Sequence, residues 1–218
     1  MASDRFPLPI LEGACGQAMV RDGLIYAFAL LALSVLAATV GGVLWAVPEW
    51  LLGAFFLYFF RDPERVVPPG ELVVSPADGR VVDVRQIEEN GRTLWKISIF
   101  LSVFDVHVNR APVNGIIRSV SYKPGRFRMA FRPEASLENE QNTVTIEGGR
   151  WAVTFKQIAG VLARRIVFKK RVGDRVERGE RVGLIKFGSR VDLFLPLDLR
   201  LAVSKGDRVW AGSSILAR

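Results

Sequence analysis

A glycine–serine pair, Gly188-Ser189, interrupts a stretch whose pattern otherwise predicts one β-strand from Val182 to Phe194. A serine hydroxyl beside a strained peptide bond can attack the preceding carbonyl and cut the chain. The serine left behind can become a pyruvoyl group, a carbonyl cofactor made from the chain itself. An ordinary turn is the alternative. We interpret the second such pair, Gly212-Ser213, as a hairpin turn, because only six residues would follow a cut there.

Two other side chains are candidates for proton transfer. His107 is the only histidine, so any imidazole catalysis at neutral pH must use it, although a lone histidine in a β protein is more often structural than catalytic. Asp78 lies in Pro76-Ala77-Asp78-Gly79, a pattern that first of all predicts a turn. The polar run 139–142 is interpreted as a solvated loop.

The elements that would position these residues begin with an apolar segment. Residues 24–47 contain no charge and would span about 36 Å as a helix, enough to cross a bilayer core of about 30 Å. Pro48 and Glu49 interrupt the run, which resumes over 50–60. We predict a membrane anchor over 24–60, after a lead of residues 1–23. It is either one span with an interfacial helix or a hairpin broken at Pro48, and a cleaved signal peptide or buried helix is disfavoured.

The charge and the cysteine content of the sequence limit the binding partners and the covalent links that are expected. Two basic and four acidic residues precede residue 61, which leaves 28 basic and 18 acidic residues, a net +10, in 61–218. A basic domain beside an anchor suits an anionic membrane surface, and no nucleic-acid motif is present. Arg21, Arg61 and Arg65 flank the apolar segment on both sides, which favours a hairpin with the catalytic domain on the cytoplasmic face of the cell membrane. Cys15 is the only cysteine, so an intrachain disulfide is excluded.

Residues 61–218 alternate short β-type runs with Gly, Pro, Asn and Asp. This pattern predicts a mainly β domain of barrel or sandwich type. A faint repeat relates 172–179 to 205–212, both with Gly-Asp followed by Arg-Val and a later Gly. Such hairpins are similar to those of barrel-sandwich-hybrid carrier domains, but no carrier lysine occupies the tip. The repeat therefore indicates architecture and not chemistry.

From about Tyr58 to the C-terminus the chain resembles the phosphatidylserine decarboxylase proenzymes, in the short bacterial and archaeal-type form. The resemblance rests on the order of several short motifs, namely Phe60-Arg61-Asp62-Pro63, Pro76-Ala77-Asp78-Gly79, residues 104–112 around His107, the 139–142 cluster, residues 160–166 and Phe187-Gly188-Ser189-Arg190. Each motif is weak alone, and their order makes the match specific.

The resemblance implies self-cleavage at Gly188-Ser189 into a β chain, 1–188, and an α chain, 189–218, which remain associated as a heterodimer, with higher oligomers left open. Ser189 would become the pyruvoyl cofactor and form a Schiff base with the serine amine of phosphatidylserine. Decarboxylation would then give phosphatidylethanolamine without a metal or an external cofactor.

The resemblance also implies the other site residues. Asp78 and His107 carry over as catalytic residues, but the second histidine of longer members is Arg110 here. His107 is therefore expected to act in both steps, with carbonyl polarisation by Arg110 or backbone amides as the alternative. Candidates for the substrate phosphate are Arg110, Lys123, Arg126, Arg164 and Arg165, each of which can equally be a solvated surface cation.

Two other functions remain open from the residues. One is a membrane-anchored, non-enzymatic barrel-sandwich adaptor, which would use the same hairpins. The other is a pyruvoyl decarboxylase of a soluble amino acid, which would leave the apolar segment 24–60 unexplained.

Overall fold

Two apolar helices precede the β domain in the computed structural model, which describes residues 21–89, 91–126, 138–160, 166–185 and 189–218. Helix α1 is Arg21–Gly41, a short 3₁₀-helix is Val43–Ala46, and α2 is Val47–Phe59. The helices are antiparallel, since Trp50 Nε1 donates to Ser34 Oγ at 3.0 Å and Gly23 packs on Phe60. The predicted apolar helices are thus present as a helical hairpin. Its break is at Gly42 (φ 86°), and Pro48 lies in the first turn of α2.

Most of the hairpin surface is apolar and exposed. Phe28, Val40, Leu44, Trp45 and Leu51 are each more than 60% exposed. By length and composition alone, α1 is sufficient to cross a membrane, whereas α2 is too short at about 20 Å.

The rest of the described chain is mainly β. Its strands are β1 (Val73–Val74), β2 (Gly79–Glu89), β3 (Arg92–Leu101), β4 (Val108–Arg110), β5 (Gly115–Lys123), β6 (Gln141–Gly148), β7 (Trp151–Ala159), β8 (Ile166–Phe168), β9 (Arg175–Val176), β10 (Arg181–Ile185), β11 (Ser189–Pro196), β12 (Arg208–Val209) and β13 (Ile215–Ala217). The short alternating runs of the sequence account for most of them, because each presents β-branched and aromatic residues to one face.

An eight-stranded antiparallel sheet, curled into a half-barrel, contains β12-β2-β3-β11-β7-β6-β5-β9 in that order. A three-stranded sheet, β4-β10-β8, and the pair β1-β13 complete the domain. The prediction of a single interrupted strand from Val182 to Phe194 is wrong. Strands β10 and β11 belong to different sheets, so the chain changes sheet between Ile185 and Ser189.

The core lies on one face of the large sheet. Val191, Leu193 and Leu195 of β11 are fully buried and pack with apolar residues of β2, β3, β6 and β7. The opposite face of β11 presents Arg190 and Asp192, which are also buried. Because side chains alternate along a strand, Ser189 lies on the core face.

The faint sequence repeat is a structural repeat. In the 205–212 copy, Gly206 N donates to Val81 O and Val81 N to Asp207 O. In the 172–179 copy, Gly173 N donates to Ile117 O and Ile117 N to Asp174 O. Each Gly-Asp turn therefore binds the beginning of one long strand, β2 or β5, at a point where that strand's pairing register shifts.

The strand directions place the ends of several strands close together. Ser189 pairs with Leu101, the last residue of β3, and with Ala159, the last residue of β7. Strand β2 begins at Gly79 and β6 at Gln141, at this same end of the sheet. We call it the Ser189 end of the sheet. Pro196, Glu89 and Gly148 lie at the opposite end.

Candidate active site

Ser189 is fully buried at the start of the central strand β11. Its Oγ has no hydrogen-bond partner among the described residues. A buried unsatisfied hydroxyl costs about 1–3 kcal/mol and is rare in folded proteins, so its retention indicates a role other than stability. Gly188, the other half of the predicted cleavage site, lies outside the described residues.

His107 lies directly before β4 and is fully buried. Its backbone carbonyl accepts from Ile185 N at 3.3 Å, so it lies next to the last described residue before the Gly188-Ser189 bond. The ring Nδ1 is 2.9 Å from the Asp105 carbonyl oxygen. Since a carbonyl only accepts, Nδ1 holds the proton and Nε2 is the basic nitrogen.

The imidazole is covered by the end of the helical hairpin. The Phe59 ring lies 4.3 Å from the His107 ring, centroid to centroid, in a cluster with Phe60, Val106, Val108 and Leu184. Burial lowers the pKa of His107 to about 4, because the charged form loses its hydration. His107 is therefore neutral at neutral pH, the form in which it accepts a proton.

Asp78 lies in the predicted turn at the Ser189 end. Its Oδ1 accepts from Ala211 N at 2.8 Å, and its Oδ2 from Arg65 Nη2 at 2.7 Å. Burial raises the pKa of the carboxyl, while the Ala211 hydrogen bond and Arg65 oppose that rise. Asp105, two residues before His107, is close enough to raise it further.

A chain of buried amides connects the surroundings of all three candidates. Asn142 Nδ2 donates to Gln157 Oε1 at 2.9 Å, and Gln157 Nε2 donates to Asn109 Oδ1 at 2.8 Å. Asn109 Nδ2 reaches the Pro76 carbonyl at 3.4 Å. Asn109 is two residues from His107, Pro76 is two from Asp78, and Gln157 is the diagonal cross-strand neighbour of Ser189. The amide chain thus holds the three segments against one another.

The interpretation of 139–142 as a solvated loop is wrong. All four residues are buried, and Asn139 Nδ2 donates to the Ala159 carbonyl at 2.7 Å. The side chains of Asn139 and Asn142 donate to partners on β7, whereas the buried Gln141 Oε1 has no partner among the described residues. Sequence reasoning missed Gln157 and Asn109 as site residues. The available signal was a glutamine on the otherwise apolar inward face of β7.

The phosphate candidates divide into three groups. Arg110 is buried, and its guanidinium donates to Asp62 Oδ1 at 2.9 Å and to the Pro63 and Gly179 carbonyls. Burial lowers the pKa of Arg110, with Asp62 opposing the effect. These contacts favour a structural role for Arg110.

Lys123 and Arg126 are exposed near the Ser189 end, where Lys123 pairs with Gln141. The Arg126 guanidinium lies 3.9 Å from Glu138. Arg164 and Arg165 lie outside the described residues. The prediction that these cations bind phosphate stays a prediction.

Comparison with known proteins identifies the family of the chain. A family model described as phosphatidylserine decarboxylase matches residues 52–217. The phosphatidylserine decarboxylase proenzyme of Solibacter usitatus is 54% identical over 200 residues, covering 92% of this chain and 96% of the relative. The proenzyme of Nitrosomonas europaea is 44% identical over 222 residues, covering 100% and 99%. That of Polynucleobacter asymbioticus is 48% identical over 182 residues, covering 82% and 85%. The chain belongs to the phosphatidylserine decarboxylase family.

Proposed function

We propose that this protein cuts itself between Gly188 and Ser189 and then decarboxylates phosphatidylserine to phosphatidylethanolamine with the pyruvoyl group formed from Ser189. The observation that supports this most directly is the buried Ser189 Oγ at the head of the central strand, which has no hydrogen-bond partner in the described part of the chain. An ordinary structural serine there would have a hydrogen-bond partner or be replaced by an apolar residue. The family comparison makes the non-enzymatic adaptor the weaker alternative.

In the cleavage step, Ser189 Oγ attacks the Gly188 carbonyl carbon and the peptide bond is exchanged for an ester. His107 Nε2 accepts the hydroxyl proton, since the imidazole is neutral and its Nδ1 proton is held by Asp105. Elimination then breaks the ester, releases the Gly188 carboxylate and leaves dehydroalanine at position 189. Water converts this residue to pyruvoyl with loss of ammonia.

The fold supports retention of the fragment 189–218 after such a cut. Strand β11 is hydrogen-bonded on both sides, to β3 and β7, while β12 pairs with β2 and β13 with β1. On the outer face, Asp192 accepts from Arg190 at 2.6 Å and forms an ion pair with Lys96 at 3.2 Å. All of these strand pairings, and the Lys96 ion pair, would join the two chains.

For turnover, the pyruvoyl carbonyl supplies an electron acceptor for the pair of electrons left when the substrate loses CO₂. His107 is the group that we assign to protonate the product carbon, and the buried setting excludes water from its ring. Asp78, held by Arg65 and Ala211, is assigned to orient this site electrostatically. Lys123 and Arg126 are the described candidates for the substrate phosphate.

The helical hairpin is proposed as the membrane anchor, with the β domain on the cytoplasmic face of the cell membrane. Both helices expose apolar side chains and return the chain to the side from which it entered, where Arg21 and Arg61 lie. This topology fits a re-entrant insertion. A substrate embedded in a bilayer also explains the hairpin, which a soluble amino-acid substrate does not.

Intact mass spectrometry of the wild type beside Ser189→Ala tests the cleavage. The wild type should give two chains, with the fragment 189–218 lighter by one ammonia than its sequence, and the variant should give one uncut chain. Ser213→Ala, at the other Gly-Ser pair, is the matched control and should be cut normally.

Decarboxylation is then measured with phosphatidylserine in detergent micelles and with free serine in the same detergent solution. Activity on the lipid alone, lost after borohydride reduction, is the expected result. A single uncut chain in a folded, active wild type contradicts the pyruvoyl chemistry. Equal activity on free serine contradicts the lipid substrate.

A further inference from the structure

The turn that precedes His107 projects an aromatic side chain outward. Phe104 follows the end of β3 and is 63% exposed, although its neighbours Asp105 and Val106 are buried. Single exposed apolar residues are common and need no explanation by themselves. Phe104 differs because of how firmly it is held and what lies beside it.

The turn is rigid. Asp105 Oδ2 accepts from Ser102 N at 2.8 Å, Asp105 N donates to the Ser102 carbonyl at 3.0 Å, and Asp105 Oδ1 also binds Arg208. These bonds fix the backbone on both sides of Phe104. An exposed aromatic ring on a fixed backbone is preorganised for contact, because little conformational entropy remains to be lost on binding.

The foot of the helical hairpin holds the same turn. The Phe104 carbonyl accepts from Arg61 Nη2 at 2.7 Å and from the Tyr58 hydroxyl at 3.2 Å. The Arg61 guanidinium lies 3.8 Å from the centre of the Tyr58 ring. The Phe104 backbone is therefore adjacent to the end of α2, where Leu57 and Tyr58 are also exposed.

We propose that the turn Ser102–Asp105 is a second membrane-contacting element, in which Phe104 enters the interface between headgroups and acyl chains beside the hairpin. This inference rests on the proposed function for the identity of the surface as a phospholipid bilayer. A ring flanked by a tyrosine and an arginine has the composition of membrane-interface anchors. Because His107 is three residues further on, lipid contact at Phe104 would set the position of the catalytic segment relative to the bilayer.

Site-specific fluorescence tests the contact. Cys15 is the only cysteine, so Cys15→Ser provides a background for labelling Phe104→Cys with an environment-sensitive dye. Leu36→Cys in α1 is the positive control, and the exposed Leu197→Cys at the opposite end of the sheet is the negative control. With phosphatidylserine–phosphatidylcholine vesicles, the dye at 104 and at 36 should shift to the blue and be quenched by brominated lipids, and the dye at 197 should not.

The possible results separate the two proposals. A shift at 36 without one at 104 overturns the Phe104 contact and leaves the anchor standing. No shift at 36 or 104 overturns the membrane anchor and the contact together, while self-cleavage remains measurable. A shift at 104 that occurs without vesicles as protein concentration rises assigns the ring to a second copy of the chain and overturns lipid contact.

A kinetic comparison gives an independent readout without labelling. Phe104→Ser should lower kcat/KM on vesicles relative to that on dispersed short-chain phosphatidylserine by about three- to tenfold, the loss expected for one partly buried aromatic side chain. Phe104→Trp should restore the ratio, and Leu197→Ser should leave it unchanged. A purely structural role for Phe104 would lower both activities equally, and that result would overturn the inference.

Discussion

Each Gly-Asp turn is bonded to a Pro-x-Asx-Gly turn, which gives a first copy (76–79 with 205–212) and a second copy (112–115 with 172–179). The two copies share a backbone framework and differ in the charge of the Asx residue. In the first copy, Asp78 of Pro76-Ala77-Asp78-Gly79 accepts a hydrogen bond from Ala211 N at 2.8 Å. In the second, Asn114 of Pro112-Val113-Asn114-Gly115 accepts one from Arg178 N at 2.7 Å. The fold therefore requires an oxygen at this position but not a carboxylate. This shared hydrogen bond does not explain why residue 78 carries a negative charge, which pairs with Arg65.

The two copies also face different ends of the sheet. Strand β2, which follows Asp78, begins at the Ser189 end, whereas β5, which follows Asn114, begins at the opposite end. At the Asx position, a carboxylate is thus present only in the copy at the Ser189 end of the sheet, where the Pro76 carbonyl contacts Asn109, two residues from His107. Because of this difference, the contribution of the turn to stability can be measured separately from the contribution of Asp78 to the proposed chemistry.

The largest expected effect comes from Asp78→Asn, which makes the first copy like the second. The amide retains the oxygen that Ala211 N binds but places its NH2 against the Arg65 guanidinium, so the free energy of unfolding should fall by about 2 kcal/mol. Self-cleavage of the folded protein should slow about a hundredfold, since charge placement commonly contributes that much to proton-transfer catalysis. Time-resolved gels of newly made protein measure the rate.

Asn114→Ala is the matched control for that variant. It removes the second acceptor and should cost about 1 kcal/mol of unfolding free energy with cleavage unchanged. If Asp78→Asn is cut at the wild-type rate, Asp78 is only a turn residue and its assignment to the site is wrong.

The second effect is a pH dependence of stability that comes from the titration of His107, the only histidine in the sequence. The pKa of His107 is about 4 in the folded protein against an unfolded value near 6.5, so the unfolded chain binds more protons between these values. The contribution of neutral His107 to the free energy of unfolding is fully present above pH 6.5. It is lost as the pH falls towards 4, which lowers the free energy of unfolding by about 3 kcal/mol.

Urea unfolding in detergent from pH 4.5 to 7.5 measures this dependence. His107→Gln should remove that part of the pH dependence, with the remainder due to carboxylates. An unchanged slope in the variant would show that His107 does not titrate in this way.

The smallest effect compares the two glycines that follow the repeated turns. A Cβ at Gly79 would lie 2.2 Å from the Phe100 carbonyl oxygen, and one at Gly115 would lie 2.3 Å from that of Glu147. Gly115→Ala should therefore lose about 2 kcal/mol of stability, and Gly79→Ala should lose more, because its φ of 149° is also unfavourable for alanine. Only Gly79→Ala, beside Asp78, should also slow self-cleavage. Thermal denaturation and the gel assay measure both, and equal slowing by the two variants would contradict a special role for the first copy.

Local sequence features predicted much of the architecture. Apolar length predicted the helices, and alternation with turn residues predicted β2, β3, β5, β6 and β7, because helix and strand formation follow from residue periodicity. The Gly-Asp repeat was visible, but its extension to Pro-x-Asx-Gly at residues 76–79 and 112–115 was missed. That pattern is recognisable only once the two segments are known to make equivalent contacts.

The sequence by itself determined the chemistry that is available: one serine after a glycine at a strand boundary, one histidine, and an apolar segment before a basic β domain. The tertiary structure decided how these are used. Burial of residues 139–142, the placement of β10 and β11 in different sheets, and the engagement of Arg110 by Asp62 all depend on contacts between residues distant in the chain. The same is true of the His107 pKa, which is low because α2 excludes water from the ring, and no local pattern around His107 contains that information.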